Sequence, residues 1–254
     1  MPLNNQANSL EAAAKLLLKG GTAIFFTGAG VSRESGIPTF REAQTGLWAK
    51  YDPEELATPS AFMRNPKLVW QWYDERRRKL NEVKPNAGHL AIAGLEKKLE
   101  RVVVLTQNVD GLHKVAGSSD VVELHGNIRE FFCFEKRHKA DEIPLGLAEP
   151  PLCYCGSLLR PAVVWFNEAL PQEEFARAQR EIMKSSVLFV IGTSSLVQPA
   201  AGLPVIAWQN QIPIVEINPD DTPLSHKASI ILRGASGEVL PRIVDLYNTL
   251  LAKQ

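Results

Sequence analysis

Thr22-Ala-Ile-Phe-Phe-Thr27 runs without interruption into Gly28-Ala29-Gly30. A short apolar run closed by a glycine turn reads as a strand buried on both faces, delivering its carboxyl end to a tight bend. Five more runs share the pattern: Val102–Thr106, Val121–Leu124, Val187–Ile191, Ile212–Ile217 and Ile230–Leu232. Helical patterns separate several of them, notably His89–Glu100 and Gln172–Lys184. Upstream, Ser9 to Lys19 reads as a helix with Ser9 as N-cap and Gly20-Gly21 as its stop. Strands alternating with helices predict an α/β fold with a doubly wound, Rossmann-like parallel sheet.

Two stretches break the alternation. Residues 33–85 carry a loop and then a charged helical pattern, and residues 127–165 hold all three cysteines, several prolines and little periodicity. Both read as insertions that build a second, smaller domain. The nucleotide-binding core is then expected over about 9–32, 86–126 and 166–250, within one catalytic unit spanning 1–254.

The chain of 254 residues has 28 basic and 28 acidic side chains, so no overall field draws it to nucleic acid or an anionic membrane. A hydrophobic share of 45% suits a packed globule and excludes a disordered chain. No apolar run reaches membrane-spanning length. Three cysteines make no disulfide framework and fit a reducing compartment. The N-terminus lacks the features of a secretory or transit peptide, so a cytoplasmic location is expected, with a mitochondrial one if a presequence has been removed.

Polar groups gather at strand ends, where open α/β sheets bind ligands. Gly28-Ala29-Gly30 lacks the third glycine of a dinucleotide fingerprint, since residue 33 is Arg33. It is followed by a Gly/Ser-rich loop through Ser32 to Phe40-Arg41, which suits a lid over a ligand. Thr106-Gln107-Asn108-Val109-Asp110-Gly111-Leu112-His113 packs amide, amide, acid and imidazole together. Turn chemistry accounts for Asn108 and Asp110 singly but not for the group. His125-Gly126 follows another strand, and His125 is the one suitable general base of this cleft near neutral pH. Gly192-Thr-Ser194 and Asn218 add further polar groups at strand ends. His89 opens a helix and has a capping or packing role as its simpler reading.

These blocks, together with Leu159-Arg-Pro-Ala-Val-Val-Trp-Phe166, resemble the sirtuin family in order and spacing over about residues 10–245. The resemblance implies NAD-dependent removal of acyl groups from protein lysines, with release of nicotinamide and O-acyl-ADP-ribose. It implies His125 as the base acting on a ribose hydroxyl, and Asn108 and Asp110 at the nicotinamide pocket. Phe40 would shield the reactive ribose, while Arg41 and Gln107 would hold the ribose–phosphate side. Gly28, Ala29, Gly30 and Ser32 belong to the cofactor loop, and Gly192, Ser194, Asn218 and Ser236 to the adenosine half. Val164, Trp165 and Phe166 would line an acyl-lysine tunnel. Acyl-lysine proteins are the implied partners, with neither nucleic acid nor membrane, and a monomer is expected. A mono-ADP-ribosyltransferase, a plain deacetylase and a non-catalytic NAD-binding module are the competing readings.

Tyr73 and Arg76 share a helix face at i, i+3. A solvated basic face paired with Asp74 and Glu75 explains such a run ordinarily. The pair is also similar to the Tyr-x-x-Arg signature of the sirtuin subgroup that removes succinyl and malonyl groups. A guanidinium fork and a hydroxyl suit a buried carboxylate, which needs a partner. Ala57 also resembles that subgroup and leaves room for a longer acyl chain.

The pattern departs from the family at the metal. Sirtuins usually hold zinc with four cysteines, whereas this chain offers Cys133, Cys153 and Cys155, with Lys136 where a fourth is expected and His138 as a substitute. Zinc is therefore not counted among the cofactors, and NAD is. Asn167 and Ser195 each replace a glycine common in the family.

Overall fold

The computed structural model describes residues 6–38, 52 and 56–253. Helix α1 (Ala7–Leu18) leads into β1 (Thr22–Thr27), and a 3-10 turn over Ala29–Ser35 follows. Helices α2 (Pro59–Arg64), α3 (Pro66–Glu82) and α4 (Ala87–Leu95) precede β2 (Arg101–Thr106). A short α5 (Leu112–Val115) leads to β3 (Val121–Glu123), and then come β4 (Gly126–Cys133), β5 (Lys139–Ala140) and β6 (Leu159–Val163). The chain closes with α6 (Gln172–Met183), β7 (Val187–Ile191), α7 (Leu203–Gln209), β8 (Ile214–Ile217), β9 (Ile230–Leu232) and α8 (Ser236–Leu251).

Six strands form one parallel sheet in the order β3-β2-β1-β7-β8-β9, the doubly wound arrangement expected from the strand runs. Apart from Arg101, Glu123, Glu216 and a few threonines its strands are apolar, because alternate residues enter two cores. Ala23, Phe25, Val102, Val104, Phe189 and Val215 face α1, α4 and α8, and Phe25 stacks on Phe189 at 4.9 Å. Ile24, Phe26, Val103, Leu105, Leu188 and Val190 face α6 and α7 on the other side. Period-2 alternation thus survives as a choice between two cores, not between core and water.

A second, antiparallel sheet, β5-β4-β6, lies in the cysteine-bearing stretch that showed little periodicity. The register of β4 on β6 shifts between Asn127 and Phe131 and Pro161 stands in β6, so alternation is broken on both strands. This sheet and α2 and α3 share a third core built on Phe62, Trp72, Tyr73, Ile128 and Trp165.

Ser9 does not cap α1. The helix begins earlier, at Ala7, because Gln6 is pinned to the far end of the chain: its amide donates to Arg233 O at 2.9 Å and accepts from Arg233 N at 2.7 Å. The glycine stop does hold, with Gly20 and Gly21 at φ +77° and +82°. Among the described residues no helix is long and apolar enough to cross a membrane.

Candidate active site

Strands β1 and β7 are neighbours at the point where the sheet order reverses, so a crevice opens at their carboxyl ends. The two turns leaving these strands interlock through backbone. Gly28 N donates to Ile191 O at 3.0 Å, and Gly30 N to Gly192 O at 2.8 Å. A Cβ on Gly28 would stand 2.7 Å from Thr193 Cβ, and one on Gly30 would stand 2.7 Å from Gly192 Cα. Gly192 itself sits at φ +57°, with Val31 N 2.5 Å from where a Cβ would be. Turn-to-turn contact therefore demands these glycines, in addition to any approach to a phosphate.

Under this rim lies a buried polar network whose hydrogen-bond directions can be followed atom by atom. Ser32 Oγ donates to Asp110 Oδ2 at 2.8 Å and accepts from Asn108 Nδ2 at 3.1 Å. This leaves Asn108 with its carbonyl oxygen uncommitted to Ser32. Asp110 Oδ1 accepts the Leu112 N–H at 2.9 Å, starting α5. Thr27 Oγ1 donates to Thr106 Oγ1 at 2.9 Å, so His113 Nε2, 3.0 Å away, donates to Thr27. The remaining His113 nitrogen, Nδ1, is buried without a protein partner, and burial drives this imidazole down to a pKa of about 3. His89 serves two masters. Its Nδ1 accepts from Asn86 N at 3.4 Å in a capping box, its Nε2 approaches Ser32 Oγ at 3.4 Å, and burial lowers its pKa.

Gln107 and His125 face each other across the ends of β2 and β3. His125 Nδ1 lies 2.8 Å from Gln107 O, and a carbonyl can only accept, so Nδ1 carries the proton. Burial lowers the His125 pKa, partly offset by that bond, so the ring is neutral at pH 7 with its lone pair on Nε2. This is the form a proton acceptor needs. Gly126 behind it is at φ +76°, and a Cβ there would stand 1.9 Å from Ala162 O. The same pairing brings Val164 N to His125 O at 2.9 Å, tying the histidine to the segment Val164-Trp165-Phe166.

That segment forms one wall of a second, aromatic region. Phe166 N donates to Ala57 O at 2.8 Å, and Trp165 Nε1 donates to Tyr73 Oη at 2.8 Å. Tyr73 is buried, which pushes its pKa up to about 12, so it stays a phenol. On α3 the basic run divides. Arg77 and Arg78 pair with Asp74 at 3.3 and 3.0 Å, and Lys79 pairs with Glu75 at 3.0 Å. Arg76 lies elsewhere, its guanidinium 4.9 Å from the centroid of the Trp72 ring, and burial lowers its pKa. The solvated-face reading thus describes Arg78, Lys79 and Glu75, whereas Asp74 and Arg77 are buried and Arg76 lies against Trp72.

The remaining expectations distribute unevenly. Phe40 and Arg41 lie outside the described residues. Gln107 Nε2 donates to Thr193 Oγ1 at 3.0 Å, and Asn218 Nδ2 to Thr193 O at 2.9 Å, so Thr193 links both to the Gly192 turn. Ser194 is exposed beside it, and the hydroxyl of Ser195 is buried with no protein partner. Ala29 is half-buried on the opposite turn. Ser236 is already engaged by protein: its hydroxyl donates to Glu34 at 3.2 Å, and Glu34 also accepts from Gly237 N at 2.7 Å. It fastens the loop to the start of α8. Thr27 and Glu34 carry no local signal as structural partners, whereas His113 belongs to the polar Thr106–His113 block and Thr193 to its glycine-serine turn.

Cys133, His138, Cys153 and Cys155 converge in the small sheet, with one ligand atom from each within 4.8 Å of all the others. Cys155 Sγ is 3.9 Å from Cys133 Sγ, and Cys153 Sγ is 3.7 Å from His138 Nδ1. Tetrahedral zinc with bonds of about 2.3 Å to sulfur separates its ligands by about 3.8 Å. The donor set fits zinc, and these four residues would hold it, with His138 standing in for the missing thiol. Burial acts to raise the Cys133 pKa, but the His138 and Lys136 backbone N–H groups outweigh it and hold the thiol below its ordinary value.

The Sir2 family model matches residues 28–199, from the glycine turn through the β7 turn. The chain belongs to the Sir2 family. An NAD-dependent protein deacylase of Pyrococcus furiosus is 50% identical over 243 residues, covering 93% of this chain and 97% of the relative. NAD-dependent protein deacylase 1 of Caldanaerobacter subterraneus subsp. tengcongensis is 49% identical over 219 residues, covering 85% and 90%. Among solved structures, a Sir2 homolog–NAD complex superposes with a TM-score of 0.89 at 45% identity, covering 95% of this sirtuin and 94% of that chain. Sir2Af2 bound to a myristoylated histone peptide superposes at 0.77 with 32% identity, covering 98% and 100%.

Proposed function

We propose that this sirtuin, an NAD-dependent protein deacylase, prefers acyl groups that end in a carboxylate, succinyl and malonyl, over acetyl. The observation that carries this reading is the polarity of one hydrogen bond. An indole nitrogen can only donate, so Tyr73 Oη accepts from Trp165 at 2.8 Å and its own proton remains for an acceptor. Its raised pKa of about 12 keeps that proton in place. Arg76, on the same face of α3, brings a permanently charged fork. A phenol proton and a guanidinium beside an aromatic wall suit an anion. A methyl group leaves both unused, so acetyl is the poorer substrate.

Bound NAD supplies the electrophilic ribose carbon that receives the acyl oxygen. The chain holds the rest in place. Asn108 and Asp110, fixed through Ser32, present an amide and an acid at the crevice floor. His125, neutral and with its lone pair on Nε2, takes a ribose hydroxyl proton. Val164 and Phe166 position the acyl-lysine segment through their backbone bonds to His125 and Ala57.

The test is kcat/KM on matched acetyl-, malonyl- and succinyl-lysine peptides with product analysis. Arg76→Met is expected to cost roughly tenfold or more on the succinyl peptide, the contribution of a charge-assisted bond, and to change acetyl little. O-acyl-ADP-ribose is the expected product. An ADP-ribosylated protein instead, or equal rates on acetyl and succinyl, would overturn the reading.

A further inference from the structure

Arg160 is only 1% exposed, yet it belongs to β6 and no part of the nucleotide crevice accounts for it. A buried guanidinium is costly unless its neighbours satisfy it. Here it forks onto Glu168, Nη1 to Oε1 at 2.6 Å and Nη2 to Oε2 at 2.9 Å, and Nη2 also reaches Val163 O at 2.6 Å. Its Nε has no protein partner. The guanidinium carbon lies 3.2 Å from the centroid of the Trp165 ring, with the Phe132 ring at 5.0 Å. Glu168 Oε2 in turn accepts the Trp165 backbone N–H at 2.8 Å. The intervening turn is closed by Asn167 at φ +67° and by Glu168 N on Trp165 O at 3.0 Å. Trp165 is thus gripped on its face by Arg160, at its backbone by Glu168, and at its Nε1 edge by Tyr73.

We propose that Arg160 and Glu168 are positioning residues for acyl selectivity, holding the Trp165 indole so that its Nε1–H stays on Tyr73 and the phenol proton is left for the acyl carboxylate. The inference rests on the carboxylate-reading role given above to Tyr73 and Arg76. Neither residue need touch the acyl group. Arg160 acts through the indole ring, and Glu168 through the indole's backbone and through Arg160. If Trp165 turns, Tyr73 loses the donor that fixes its lone pair, and its own proton is no longer aimed. Acetyl transfer, which makes no use of that proton, is spared.

The test is a double-mutant cycle. Arg160→Met combined with Glu168→Gln removes both charges together, so neither is left buried alone. It is compared with the wild type, with Tyr73→Phe, and with all three changes combined. The expected result is a fall of about tenfold in the succinyl-to-acetyl ratio of kcat/KM, carried mainly by KM for the succinyl peptide, with the KM for NAD unchanged. In the Tyr73→Phe background the same pair of changes should leave the ratio where it was. An equal loss on both peptides, or a selective loss that persists without the Tyr73 hydroxyl, overturns the inference. Should the pair fail to fold, Arg160→Lys keeps the charge without the fork and must lower the ratio in the same direction; an unchanged ratio overturns the inference just as well. A wild type without acidic preference removes the pocket reading and this inference together. A preference that survives the paired changes removes this inference alone.

Discussion

The crevice at the ends of β1, β2, β7 and β8 and the aromatic pocket under α3 are built by different means. The rim of the crevice is backbone, glycine turns interlocked across β1 and β7, set over two buried side-chain pairs, Ser32 with Asp110 and Thr27 with Thr106. In the pocket, side chains from distant segments meet. Tyr73 comes from α3, Trp165 from the segment after β6, and Arg160 from β6 itself. A rim made of interlocked backbone tolerates few substitutions and serves any substrate. A site made of side chains can be retuned without disturbing the first. Chemistry and choice of acyl group are therefore expected to respond to separate mutations.

Gly126 is where this separation should break, because it stands at the junction of the two regions. A methyl at Gly126 would collide with Ala162 O at 1.9 Å and displace both His125 and the Val164 segment. Gly126→Ala should lower kcat/KM on acetyl and succinyl peptides alike by more than about 100-fold, as misplacement of a catalytic group by an ångström does. A loss confined to one acyl type would show that the regions are not joined there.

The crevice alone should respond to acid. His113 titrates at about 3 in the folded chain, and burial also lowers His89 and His125. Below pH 6.5 the unfolded chain binds protons that the folded chain refuses, so stability is full above that pH and is lost as pH falls toward 3. At pH 5 the loss from His113 alone is about 2 kcal/mol. Urea titrations at pH 7.5 and 5.0 measure it, and His113→Gln should remove that share. Equal stability at the two pH values would mean that these imidazoles are solvated and the network is looser than its hydrogen bonds imply.

The smallest effect sharpens the comparison at the rim. Ser195 sits at φ +55°, a left-handed conformation that costs a side chain about 1–2 kcal/mol, part of which glycine returns through the unfolded chain. Ser195→Gly should stabilise the protein by no more than about 1 kcal/mol in thermal or urea unfolding and leave the acyl ratio unchanged. A changed ratio would place the β7 turn within reach of the acyl pocket.

How much was legible in the sequence follows the same division. The parallel sheet could be read because each strand is a short, largely apolar run, and the glycine turns and the Gln107–Asp110 block lie within single stretches. The small sheet could not, since the β4 register shift and Pro161 break its alternation. Ser236 is assigned to the adenosine half by the family resemblance alone, and no local pattern foretells its hydrogen bond to Glu34, 202 positions away. Arg160 and Glu168 stood in plain sight, eight residues apart, but only folding sets the guanidinium on the Trp165 ring. The metal donors were countable, and their convergence was not.

One residue spans the crevice. Gln107 gives its N–H to Thr27 O, its carbonyl to His125, and its side-chain amide to Thr193. Gln107 joins β1, the β7 turn and the imidazole within one residue. The crevice turn and the proton acceptor thus meet in one residue, and the bond from Val164 N to His125 O ties the same histidine on to the aromatic pocket.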